Sequence, residues 1–266
     1  GWRGSGGGRI DISGTTNNFI GNIEVFGDIM GTKSIPRGMT GSLLLPSTDG
    51  EGWTTKLLVV TNDLRLGNTQ SFGALIVTNG GRLYLDCNPG DNVFSFESID
   101  VYTNSEIIVQ GDYRLVNELS GGTSESHHGG GATILADSVN IHAGGAIHAD
   151  LQGFPPLMGP GTSVSADSGR GAGHGGVGGD GSAVSKREGG NVYGTNIWPV
   201  ALGSGGARDS LSVQGGGAIT LIVSGQLFVD GRLSANGGIS KNTVASGSSG
   251  GSILVAASEI QGRGII

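Results

Sequence analysis

Residues 215–238 read GGGAITLIVSGQLFVDGRLSANGG, and residues 129–153 read GGGATILADSVNIHAGGAIHADLQG. Shifted by 86 positions, the two align without a gap over about twenty residues. Gly131 falls on Gly217, Leu135 on Leu221, Ser138 on Ser224, Ile141 on Leu227, Gly145 on Gly231, Ile147 on Leu233 and Ala149 on Ala235. Within each copy apolar residues take alternate positions, the spacing of a strand with one buried face. A third copy opens at GGSILVAASEIQGRGII (250–266) and keeps the glycines and the alternation with one residue of slippage. Simpler forms precede them: LVVTNDLRL (58–66), LIVTNGGRLYLD (75–86) and IDVYTNSEIIVQGD (99–112), offset by 17 and then 24 residues. RIDISG…NIEVFGDIMG (9–31) is a degenerate relative.

Short strands, regular corners and repeats of this size predict an all-β solenoid, because one repeat cannot bury its apolar face and a stack of repeats can. Parallel pairing about 4.8 Å apart places like residues on like. The corners are Thr61-Asn62-Asp63, Thr78-Asn79-Gly80-Gly81, Asp230-Gly231 and Asn236-Gly237-Gly238, residue types that tolerate positive φ. The 215–238 stretch is expected to give three strands, 218–223, 226–229 and 232–235, with a corner at Ser224-Gly225. Leu135, Ile141, Ile147, Leu221, Leu227 and Leu233 are expected to point inward. A β-sandwich is the competing all-β architecture; it needs longer strands and hairpin turns and does not need the gapless repeat.

The pattern GGGxIxLxVxGxLxVDGxIxANGG, with the GAGHGGVGG tract between copies, resembles the glycine-rich right-handed parallel β-helices of the pectin-lyase-like group, as found in large secreted surface, fibre and adhesin-like proteins. The resemblance spans about 55–266. It implies a right-handed parallel β-helix with long glycine-rich loop insertions, and it implies little about activity. The expected organisation is an N-terminal segment of degenerate repeats or a capping segment, 1–54, followed by the repeat body, 55–266, with an insertion at 154–214. Phe154, Leu157, Met158, Tyr193, Ile197, Trp198, Val200 and Leu202 are enough apolar groups to fold that insertion back onto the body. The chain starts GWRGSGGG and stops at GRGII in mid-repeat, so the expectation is a processed or partial chain of a longer protein, with an unpaired strand edge that could template another coil or chain.

Composition narrows the function. Glycine is 55 of 266 residues, about threefold the usual share, which disfavours helices. A net charge of −7 argues against nucleic acid as a partner, since such binding rests on neutralising phosphates. No stretch reaches the length of a membrane span. Cys87 is the single cysteine and is expected to be a buried thiol. N-x-Ser/Thr sequons are absent.

The chemical inventory is thin. His127, His128, His142, His148 and His174 lack the carboxylate or thiolate set that completes a metal site, although imidazoles on one face suit transition metals. Asp86, Asp100 and Asp112 fall on neighbouring repeats, the disposition polysaccharide-cleaving enzymes use for acid and base. Asp86 and Asp112 follow strand ends, as corner caps do, and Asp100 is mid-strand and outward. Asp180 in GGVGGDGSA is a single carboxylate where calcium turns need an iterated pattern, and Asp230 belongs to a turn. Thr61 and Thr78 begin an outward threonine row that Tyr102 breaks, which weakens an ice- or mineral-binding face. The glycine tract is not a dinucleotide loop, because no strand–loop–helix unit surrounds it. No catalytic, cofactor-binding or metal residue is assigned and no cofactor is expected.

These observations lead to an expectation of a non-enzymatic structural or scaffold subunit of an extracellular fibre, sheath or adhesin stalk. Its partners would be further copies of itself or neighbouring domains of a longer chain, with glycans as a further class. The alternative is a carbohydrate-binding or polysaccharide-degrading protein of the same fold.

Overall fold

In the computed structural model, residues 10–11, 43–48, 53–67, 70–88, 92–114, 128–162, 170–180, 188–206, 214–239 and 247–266 are described. Thirteen strands occur among them and no helix: β1 (Ile10–Asp11), β2 (Leu43–Thr48), β3 (Trp53–Val60), β4 (Asp63–Leu66), β5 (Gln70–Val77), β6 (Arg82–Leu85), β7 (Val93–Val101), β8 (Glu106–Val109), β9 (Ala132–Ile141), β10 (Ala146–His148), β11 (Ala218–Val229), β12 (Arg232–Ser234) and β13 (Ser252–Gln261). They form two sheets. Eight strands run in the order β1-β2-β3-β5-β7-β9-β11-β13, and five in the order β12-β10-β8-β6-β4. Pairing is parallel throughout except for β2 against β3.

This corrects the right-handed parallel β-helix expected from the repeat. The chain is all-β and parallel, but each repeat gives one long strand to the first sheet and one short strand to the second, not three short strands around a coil. The decisive stretch is β11. Ser224-Gly225 is no corner: β11 runs through it as one strand, and its pairing with β9 and β13 merely shifts register there. The physical reason is a bulge. A Cβ on Gly225 would lie 2.6 Å from the Asp137 carbonyl oxygen, so only glycine lets the strand kink past its neighbour without turning.

The two sheets share one apolar core, to which both contribute. Its side chains stand in columns that follow the pairing. Leu58, Leu75, Ile99, Val139 and Leu227 make one column of the first sheet. Val60, Val77, Val101, Ile141 and Val229 make the next. Leu64, Leu83, Ile107, Ile147 and Leu233 face them from the second sheet. The offsets of 17 and 24 residues read from the sequence are the registers seen at Leu58↔Leu75 and Leu75↔Ile99. The 86-residue offset holds only for β10 on β12, as at Ile147↔Leu233. In β9 and β11 the partner of Leu221 is Ile134, one residue from the expected Leu135. A one-residue slip turns a side chain to the other face. Ile134 is accordingly buried and Leu135 only half-buried, whereas the other five expected inward residues are fully buried.

The corners at 61–62, 79–80, 230–231 and 103–104 connect the sheets. Asn79 and Asn104 take φ of 54° and 60°, the left-handed conformation asparagine tolerates. Beside the sheets, the glycine-rich backbone packs on itself. Gly153 donates to Gly215 at 2.8 Å, Gly203 to Gly216 at 2.8 Å, Gly216 to Ser249 at 3.0 Å and Gly173 to Gly161 at 2.8 Å. These segments approach too closely for any side chain between them: a Cβ on Gly190 would sit 1.7 Å from the Gly161 carbonyl oxygen. Phe154 and Leu202 anchor this layer on Ala218 and Tyr113. They are the expected anchors that are buried; Leu157, Met158, Ile197 and Trp198, also expected to fold inward, are exposed.

Candidate functional site

The histidines separate into three settings. His127 lies outside the described residues. His142 sits on the outer face of the first sheet; its Nε2 lies 3.0 Å from Asp100 Oδ1, its ring stacks on Tyr102 at 4.3 Å, and Asn140 Nδ2 donates to the same carboxylate oxygen at 3.2 Å. His148 lies on the outer face of the second sheet between Glu106, 3.7 Å away, and Asp150. The Asp150 amide donates to His148 Nδ1 at 3.3 Å, which leaves the proton of the neutral ring on the buried Nε2, the atom 3.7 Å from Glu106 Oε2. Asp150 is itself held by Arg232, by Ser234 Oγ at 3.0 Å and by the Asn236 amide at 2.7 Å. Burial opposes its charge, yet these bonds draw its carboxyl below the usual range. His128 and His174 flank the Tyr193 ring at 5.3 and 4.6 Å inside the glycine layer.

The candidate acids are engaged one by one. Asp86 pairs with Arg65, and Asp112 binds Arg114 at 2.9 Å, which lowers its pKa. Asp180 Oδ1 accepts the Gly189 amide and Asp230 Oδ1 the Arg263 amide, so each holds the backbone of a segment further along the chain. Among the described residues no group of three or more His, Cys, Asp or Glu side chains is placed to hold a metal ion, and no helix is long and apolar enough to cross a membrane. Cys87 is buried against the Gly131 carbonyl, and burial pushes its thiol up to about 11. Thr78 and Tyr102 stand on consecutive repeats, as expected, with Tyr102 exposed and stacked on His142.

Burial holds His128, His148 and His174 below the ordinary imidazole value of 6.5. Unfolded, these rings take up protons near 6.5; folded, they resist until lower pH. The unfolded state therefore binds more protons as pH falls, and stability drops with it. Melting temperature is expected to be flat between 6.5 and 9.0, the ordinary thiol value that burial raises at Cys87, and to fall steadily below 6.5. A melting temperature that holds or rises on acidification through that range would show that these imidazoles are not buried as described.

One surface feature was missed by the sequence reading and one was expected from it. One is a cavity of about 720 Å³ in the glycine layer, walled by Ala172, His174, Val177, Tyr193, Pro199 and Ile253. Its two polar rings are already bonded inside the protein: His174 Nδ1 lies 2.9 Å from the Gly250 carbonyl, and the Tyr193 hydroxyl meets Leu202 and Ser204. Burial raises the Tyr193 hydroxyl to about 12. The other is the edge of the first sheet. β13 is bonded to β11 on one side only, and its columns of Ile253, Val255 and Ala257 are half-covered where their counterparts in β11 are buried. Ile260 is 54% exposed. Compared with known proteins, the chain matches no family model, no curated protein and no solved structure.

Proposed function

We propose that this protein is a structural subunit that associates with copies of itself through the β13 edge, as part of an extracellular fibre or sheath. The observation that carries this reading is the stacking itself: successive repeats lay parallel strands on one another in like-on-like columns, and a further strand, from a second copy or from chain following residue 266, continues those columns at β13. β13 offers ten residues, SILVAASEIQ, with Glu259 as their one charge. Edge strands that must stay single carry lysine, proline or a twisting bulge on the open side. β13 has no proline and no lysine, and its inner columns end half-exposed. The opposite ends of the two sheets are β1 and β4, so copies meeting end to end make a heterologous contact, which propagates into filaments unless it closes. The extracellular placement rests on the resemblance of the repeat to secreted surface proteins.

Sedimentation and electron microscopy test the reading. Purified protein is expected to form elongated species whose share grows with concentration. Ile260→Lys together with Ala256→Lys, both exposed positions on the edge, should return the protein to monomer with its melting temperature preserved. A wild-type protein that stays monomeric at every concentration overturns self-association.

A further inference from the structure

The cavity of the glycine layer has a mixed wall, and its polar groups divide into engaged and free. Ser252 Oγ donates to the Ala201 carbonyl at 2.7 Å, and Ser249 Oγ accepts the Ser204 amide at 2.7 Å. The Tyr193 hydroxyl is held by Leu202 and Ser204. Three side chains keep something to offer. His174 Nδ1 lies 2.9 Å from the Gly250 carbonyl. A carbonyl only accepts, so Nδ1 carries the proton and Nε2 is a bare lone pair. Burial holds this imidazole below its ordinary value, so the lone pair is present at neutral pH. No described residue donates to Nε2, and Gly194 leaves it open, since a Cβ there would sit 3.3 Å away. Thr195 Oγ1 accepts the Ile197 amide at 3.2 Å and keeps its own proton to donate. The exposed Asn196 amide both donates and accepts.

Glycines keep the space clear. A Cβ on Gly175 or Gly176 would meet nothing within 4 Å, and neither residue has a positive φ. Close backbone packing accounts for Gly161, Gly173 and Gly190 in the same layer, and a φ of 80° accounts for Gly194. Neither cause applies to Gly175 and Gly176, yet both line the cavity. The rest of the wall includes the aliphatic side chains of Val177, Val192 and Ile253, and among the described residues no charged side chain lines it. An ion entering here gives up water and meets no opposite charge. Hydroxyl groups donate and accept at once, which is what the lone pair, the Thr195 hydroxyl and the Asn196 amide together require. A ring with hydroxyls on its edge and C–H groups on its faces suits both kinds of wall.

We propose that this cavity binds an uncharged sugar. One hydroxyl donates to His174 Nε2, others bond to Thr195 and Asn196, and the C–H face of the ring lies on Val177, Val192 and Ile253. The site goes beyond the self-association reading and does not rest on it: neither Ala256 nor Ile260 lines the cavity.

Calorimetric titration at neutral pH tests it, with glucose, galactose, mannose and N-acetylglucosamine as probes and glucuronate as their charged counterpart. At least one neutral sugar should bind in the millimolar range or tighter, and glucuronate should not bind. His174→Asn keeps a donor in the place of Nδ1, so the bond to the Gly250 carbonyl persists while the acceptor at Nε2 is lost. Affinity should then fall about tenfold, as for one hydrogen bond, with the melting temperature preserved. Gly176→Leu fills the cavity and should abolish binding. Gly179→Leu should leave it intact, because a Cβ there also meets nothing within 4 Å but Gly179 is not in the wall. If asparagine lowers the melting temperature, the two leucine variants decide. Ala256→Lys with Ile260→Lys should bind as wild type does, so a failure of assembly leaves the site standing. Any one of four results overturns the proposal: no neutral sugar bound at tens of millimolar, binding undiminished by Gly176→Leu, affinity unchanged in a stable His174→Asn protein, or glucuronate bound as tightly as the neutral sugars.

Discussion

Gly131→Ala and Gly251→Ala are expected to be among the most damaging single substitutions in this protein, although each adds one methyl group. At Gly131 the new Cβ would lie 1.8 Å from the Ala218 carbonyl oxygen, and at Gly251 1.7 Å from that of Gly217. No rotamer relieves such a contact, because both partners are backbone. The chains must move apart, and the bonds that tie them, such as Gly251 N to the Ala235 carbonyl at 2.8 Å and Ser252 N to the Gly217 carbonyl at 3.0 Å, go with them. Overpacking a well-filled interior costs about 1–3 kcal/mol where side chains can adjust, and a backbone clash lies at or beyond the upper end. A loss of about 3 kcal/mol should lower the melting temperature by roughly 10 °C in a chain of this size. The control is inside the same molecule. Gly176 and Gly179 meet nothing within 4 Å at the Cβ position and have no positive φ, so alanine there should leave the melting temperature unchanged or slightly raised. Melts of the four variants decide the matter. If Gly131→Ala and Gly251→Ala melt with Gly176→Ala, close backbone packing is not what holds the glycine layer to the sheets.

That contrast also marks what the sequence could and could not disclose. Glycine-flanked alternation is a local signal, and it located the strands, the Thr-Asn and Asp-Gly corners and the 17- and 24-residue registers. The number of strands per repeat was not local. A break in alternation at Ser224-Gly225 looks the same whether the chain turns a corner or bulges; what decides is the carbonyl of Asp137 on the neighbouring strand, 87 residues back from Ser224. The same limit applies to the glycines, since Gly176 and Gly190 are identical letters with opposite surroundings. The surface features were less legible still. Leucine carries no signature of left-handed backbone, so Leu151 and Leu157, with φ of 59° and 65°, read as ordinary apolar residues. Ile197 and Trp198 read as anchors, yet Phe154 and Leu202 make the apolar cluster with Ala218, and a Cβ at Gly111 or Gly129 would run into the Leu202 side chain. Among the polar candidates, the sequence placed Asp100 and His142 outward but could not show that register brings them within 3.0 Å of each other.

Ile134→Ala should destabilise the protein far more than Leu135→Ala, and this pair tests the register on which the edge depends. Ile134 is fully buried in the column of Phe94 and Leu221. Leu135 pairs with Ser95 and Ile222 on the other face and is half-buried. Truncating a buried isoleucine removes its transfer energy and leaves a cavity, about 2–5 kcal/mol in all. At Leu135 the surface already sees water and no closed cavity forms, so about 1 kcal/mol is expected. The gapless alignment of the two long repeats, with Leu135 on Leu221, demands the reverse order. Chemical denaturation of both variants separates the two registers. The result bears on assembly as well. The column of Phe94, Ile134 and Leu221 continues to Val255, the residue of β13 that the next strand would cover. If Leu135 proved the costlier loss, the face presented at the edge would be the opposite one, Leu254 and Ala256 in place of Ile253 and Val255, and a strand joining there would have to bring its apolar residues one position out of step.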